Sequence, residues 1–178
     1  MSLTDKQHAV LKGMIAGAVI TVVVIVGAIF IPVDLPPYAF MGQRIAYALK
    51  MDVLIALWLA VSVGLLARHR FFTPEDIDGS GLTPGTGKAH ILQANLQNTL
   101  EQSVLAVLTH VIWAVVMPLA AISVIRAAVL LFLLGRLFFL RGYGRGAQSR
   151  ALGFTLTFYP SILMLLMIAG TLIFGRVL

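Results

Sequence analysis

Two apolar stretches of this chain carry side chains that hydrocarbon cannot satisfy. In the first, Asn95, Asn98 and Gln102 fall within about 60° of one another on a helix of 3.6 residues per turn, and Glu101 lies one step further round. In the second, Arg136 stands inside an apolar run. Tyr143 follows seven residues later, two turns along the same face, and Arg145 and Arg150 fall in the short connection after it. The chemistry such groups offer is ion recognition, and two readings fit it. Glu101 and Arg136 could neutralise each other, with Arg145 and Arg150 serving as topology signals, or the cluster could form an anion-binding site. Cysteine is absent, which excludes disulfides, thiolate metal sites and a protein thiol nucleophile. Any thiol chemistry here uses a ligand's sulfur.

The elements that must position these groups are set by composition. Of 178 residues, 60% are apolar and 11% charged, and the mean hydropathy is +0.98. A soluble domain carries about 25% charged residues, so a water-soluble enzyme is excluded. The apolar runs recur to the C-terminus, and residues 13–31 lead into no small-residue cleavage pattern, so a signal peptide does not account for them. The fold class expected is all-α, an integral membrane helical bundle without a repeat or a soluble second domain. A span needs about 20 apolar residues. Four windows meet this: Gly13–Ile31 ended by Pro32, Ile45–Ala67, Leu119–Leu140 and Ala151–Phe174. The fifth, Val104–Met117, crosses only if its helix continues back to about residue 90, through Gln93, Asn95, Gln97, Asn98, Glu101 and Gln102. Those groups must then face protein or a water-filled cavity.

If five spans alternate, Lys6, Lys12, Arg68, Arg70, Lys88, Arg141, Arg145 and Arg150 share one face, opposite Arg44, Arg126 and Arg176. The positive-inside rule makes that face cytoplasmic, with the N-terminus inside, the C-terminus outside and the polar end of the third span on the inner side. The compact loops suggest a bacterial inner membrane. Dispersed over connections, these cations do not form a nucleic-acid surface.

Other motifs carry less. Asp76-Ile-Asp78-Gly-Ser80-Gly81 opens like a calcium loop, but Gly87 stands where a bidentate Glu is needed. Gly85-Thr-Gly87-Lys88 resembles a phosphate loop, yet Leu82 replaces its first glycine and Ala89 its magnesium ligand. His8, His69, His90 and His110 have no metal-site spacing, and interfacial or hydrogen-bonded roles are expected of them. Asp52, inside the second span, is expected to be a structural pair or an interfacial group ahead of a proton relay.

Asn98-Thr-Leu-Glu101-Gln102 resembles the Asn-x-x-Glu signature of the MAPEG family, the membrane-associated proteins in eicosanoid and glutathione metabolism. Arg136-Leu-Phe-Phe139-Leu-Arg-Gly-Tyr143-Gly-Arg145-Gly-Ala-Gln-Ser-Arg150 resembles that family's third core helix and the turn after it, most closely in the leukotriene C synthase branch. The resemblance implies a four-helix core over residues 45–178, with residues 1–44 an extension bearing an added helix. It implies a homotrimer with glutathione as co-substrate held between subunits. Glu101 would then accept the ligand ammonium, Asn98 would hydrogen-bond it, and Arg136, Tyr143 and Arg145 would line the cofactor site. Arg150 would be the catalytic residue, stabilising the thiolate. The sequence departs from the pattern at Ala94, which replaces an arginine, and at Gln102 and Phe139, which replace aromatics, Phe139 lacking a tyrosine hydroxyl. The function expected is a glutathione-dependent transferase or peroxidase acting on a lipophilic small molecule or lipid. The alternatives are a non-catalytic lipid-binding scaffold of the same fold and, third, a small channel or transporter, although five unequal spans without a repeat do not supply a two-halved plan.

Overall fold

A computed structural model describes residues 3–31, 40–79 and 81–175. Pro32, Ser80 and Arg176, named above, lie outside the described residues. Within them are five membrane-length helices: α1 (Asp5–Ile29), α2 (Met41–Phe71), α3 (Gly87–Val116), α4 (Ser123–Gly142) and α5 (Ala147–Phe174). The helices run from 20 residues in α4 to 31 in α2, enough to cross the roughly 30 Å of a bilayer core at 1.5 Å per residue. The chain is an all-helical integral membrane bundle. Its outward faces are apolar, with Val23, Leu57, Leu130 and Leu166 all exposed, as lipid requires.

Several helices outrun the apolar windows, because their ends are fixed by caps. α1 begins at Asp5, eight residues before Gly13, where Gln7 N–H donates to Thr4 Oγ1 (3.3 Å) and Thr4 N–H donates to Gln7 Oε1 (2.8 Å). α3 begins at Gly87, capped by the Thr86 hydroxyl, which accepts from Ala89 N–H at 3.2 Å. α4 starts later than expected, at Ser123. Pro118 ends α3, and a tight 3-10 turn, Leu119–Ala121, occupies the residues between.

The helices alternate, α1 packing on α5 and α4, α2 on α3, and α4 on α5. Trp113, Ile125 and Met164 centre the main core, and a smaller cluster joins Ile55, Ala106, Val129 and Phe132. α3 satisfies its buried hydroxyls internally, as the bilayer demands, although Gln102 Oε1 is buried without a partner among the described residues. Thr99, Ser103 and Thr109 each donate to the carbonyl four residues back at 2.7 Å, while Asn95, Gln102 and Ser103 face protein. Asp52 and His110 form a buried pair at 2.6 Å, tying α2 to α3 inside the membrane. Asp52 is thus paired with α3 and not interfacial.

Between α2 and α3 the loop is locked by Asp76. Its carboxylate accepts from Thr86 N–H (2.7 Å), Thr86 Oγ1–H (2.6 Å) and His69 Nε2 (2.9 Å), joining the end of α2 to the cap of α3. The Thr86 hydroxyl, then the Thr86 N–H and the nearby His69, outweigh the opposing effect of burial and hold this carboxyl below the ordinary carboxylate range. A carboxyl depressed in the folded state stabilises above its unfolded value, near 3.9, and loses that contribution as pH falls through the folded one. Thermal unfolding in detergent should therefore show a loss of stability below about pH 4 that is weaker in Asp76→Asn. Identical acid profiles for the two proteins would show that Asp76 does not control the loop.

Candidate functional site

At the end of the bundle where α1, α3 and α5 begin, a cavity of about 570 Å³ opens between α5, α4, α3 and α1. Its charged end is built by the α4–α5 corner. α4 closes into the 3-10 turn Tyr143–Arg145, Gly146 takes φ +96° to reverse the chain, and α5 starts at Ala147 with no side-chain cap. Arg150 stands in the first turn of α5, where the helix dipole also favours an anion. Its guanidinium carbon lies 4.3 Å from the Tyr143 ring centre and 5.9 Å from that of Phe139.

Arg136 lies one layer deeper, 1% exposed. It donates to Asn98 Oδ1 at 2.8 Å and to Thr157 Oγ1 at 2.6 Å, and its guanidinium carbon sits 4.5 Å from the Phe139 ring centre. Its Nε is buried without a hydrogen-bond partner among the described residues. The neutralising pair with Glu101 does not form. Glu101 is exposed on the outer side of α3, where it accepts from Gln97 Nε2 at 3.0 Å. An asparagine and a threonine hold the buried cation instead, and neither cancels its charge.

The structure therefore brings four of the named residues together. Asn98, Tyr143 and Arg150 line the cavity, and Arg136 backs it through Asn98. Glu101, one turn along α3 from Asn98, and Arg145, exposed and donating to the Arg141 carbonyl at 3.3 Å, do not line it. Sequence reasoning missed the opposite wall. Phe154 and Phe158 stack at 5.4 Å with their planes 27° apart, and the aromatic surface continues from Phe139 to Tyr159. Only the four-residue spacing of Phe154 and Phe158 signalled it. Thr157 and the α1 residues Val10 and Met14, which complete the lining or its support, carried no signal.

Such a pocket can hold an anion at one end and an apolar group along the rest. No curated protein and no solved structure matches the chain. A model of the MAPEG family matches residues 45–170, the segment that runs from α2 through most of α5 and supplies every polar residue of the cavity's charged end. This match spans well over half of the sequence, and the chain belongs to the MAPEG family.

Proposed function

We propose that the cavity is a glutathione site and that the protein is a glutathione-dependent membrane transferase or peroxidase. The family places the chain among membrane proteins of glutathione or eicosanoid metabolism. The observation that carries the reading is the convergence of Arg150, Tyr143, Asn98 and, behind them, Arg136 on one cavity. The tripeptide has two carboxylates and one ammonium, which calls for several arginines and one acid. The residues fit in part: Arg136 retains a buried, unpartnered Nε and backs the cavity through Asn98, Arg150 lines the cavity, and Glu101, on the outer side of α3, would meet the ammonium only across a subunit boundary. Bound glutathione would supply a sulfur nucleophile for a lipophilic electrophile or hydroperoxide.

Arg150 favours the thiolate over the thiol at that position. Lowering a thiol from about 8.5 by two pKa units takes about 2.7 kcal/mol. A cation about 4 Å away at an effective dielectric near 20 contributes about 4 kcal/mol, so one arginine suffices. The same reading makes the protein a homotrimer, in which the exposed face of α3 with Glu101 meets a neighbouring subunit. It also puts the charged end of the bundle at the cytoplasmic side of a bacterial inner membrane, because the basic connections lie there. Arg150→Ala is expected to abolish the ultraviolet absorbance of enzyme-bound thiolate in detergent while the fold is kept. A thiolate signal unchanged by that substitution would overturn the assignment.

The aromatic wall of Phe139, Phe154, Phe158 and Tyr159 favours a second reading, a lipid-binding scaffold without turnover. Assay with a generic aryl halide and with cumene hydroperoxide separates the two, since a scaffold gives no rate above background.

A further inference from the structure

α1 lies outside the residues that match the family, yet two of its side chains, Val10 and Met14, form part of the cavity wall. It is held there by close packing. Its buried stripe runs Gly17, Thr21, Ile25 and Ala28, at helical spacing. Gly13 and Gly17, four residues apart, bring its backbone against α5. A Cβ at Gly17 would lie 2.6 Å from Thr155 Cβ, and one at Gly13 would lie 3.0 Å from Ala151 Cβ. At the far end of α1 the Ser123 hydroxyl donates to the Ala28 carbonyl at 2.5 Å. A helix anchored at both ends presents Val10 and Met14 from a fixed position.

Those two residues also border a second cavity of about 490 Å³, which runs along the start of α1 past Leu11 to Lys6. Val10, Met14 and Ala147 line both spaces and so form the partition between them. On the inner side of the partition the apolar surface is Phe154 and Phe158, and the polar end is Arg150, Tyr143 and Asn98. A volume of about 570 Å³ falls in the range that encloses one small ligand.

We propose that α1 is the size-limiting wall of this site. Val10 and Met14, with Ala147 opposite, set how long a single-chain lipophile the cavity accepts, its polar end at Arg150 and its chain between Met14 and the Phe154–Phe158 stack. The assignment rests on the reading of the Arg150 cavity as the ligand site. A small side chain at position 14 merges the two cavities and admits longer chains; a larger one shortens the accepted length.

The test uses the full chain in lipid nanodiscs and straight-chain carboxylic acids with a terminal diazirine, from medium to long chain, in the absence of glutathione. Wild type should label up to a limiting length, with adducts on the Met14 and Phe154–Phe158 segments. Met14→Ala should move the limit upward and Met14→Trp downward. Apparent affinity at the limiting length should change by about tenfold, the scale for a misfit of a methylene or more in an apolar pocket. Ala147→Phe, made from the α5 side, should act like Met14→Trp without touching α1. A limit unmoved in all three variants would overturn the proposal, as would adducts confined to the outward-facing Ile15, Val19 and Val22. Because the readout needs no thiol, a limit that moves with Met14 supports the role of α1 even if wild type gives no glutathione thiolate signal.

Discussion

Gly153→Ala should lower the stability of the detergent-solubilised protein by about 3 kcal/mol, the upper part of the overpacking range, and disrupt glutathione binding with it. The reason is that α4 and α5 cross through glycine backbones. A Cβ at Gly153 would stand 2.7 Å from the Gly135 carbonyl oxygen and 2.8 Å from Phe139 Cα, and at such contacts no flexible side chain can yield. The helices must part. Gly135 meets the same crossing from the other side, its Cβ position lying 2.8 Å from the Gly153 carbonyl and 2.7 Å from Thr157 Cγ2. Any separation here moves Phe139, which lies between two guanidiniums, and strains the 2.6 Å bond from Arg136 to Thr157. Gly170→Ala on the same helix is the control. Nothing lies within 4 Å of that Cβ position, so the change should be neutral or slightly stabilising through helix propensity. Thermal unfolding of the two variants side by side checks the argument. Equal midpoints would show that the crossing tolerates a methyl group and that its glycines do not set the helix spacing.

What could be read from the residues alone follows the same physics. A bilayer forbids unsatisfied backbone and isolated polar groups, so five spans and an α3 whose buried polar groups face inward were forced by composition. Helix ends were less legible, because windows of apolar residues ignore caps: Thr4 and Thr86 start α1 and α3 inside polar sequence. The arginines of the α4–α5 corner were legible as a group, since a helix periodicity and a short turn leave them little freedom. The facing of Glu101 was not. It stands only one step round α3 from Asn98, and one step of a helix decides between the bundle and its exterior. The partner of Arg136 was hidden for another reason. Thr157 reads as an ordinary helix hydroxyl, and it does donate to the Phe154 carbonyl at 2.8 Å while also receiving the guanidinium. Phe154 and Phe158 were hidden because an aromatic in an apolar span has the same sequence appearance whether it meets lipid or lines a cavity.

Arg136→Met should raise the stability of the ligand-free protein and abolish its stabilisation by glutathione. A cation 1% exposed within the bundle loses its hydration, and among the described residues no carboxylate returns the energy by pairing with it. The bonds to Asn98 and Thr157 and the Phe139 ring lessen that cost without neutralising the charge. Replacing buried ionic groups by apolar residues of similar shape is often stabilising by about 1–4 kcal/mol. The groups left behind are not stranded. Thr157 keeps its bond to the Phe154 carbonyl, and Asn98 remains on the cavity lining. A ligand present at 100 times its Kd stabilises a protein by about 2.7 kcal/mol, so the wild type should gain that amount on adding glutathione and the variant should gain nothing. The two changes have opposite signs, which distinguishes a functional arginine from a structural one. Were Arg136 a structural strut joining α3 to α5, the variant would unfold at lower temperature with and without glutathione alike. A buried cation retained at a cost to the empty bundle, and repaid only when an anion arrives, is the energetic signature expected of a binding site in a membrane.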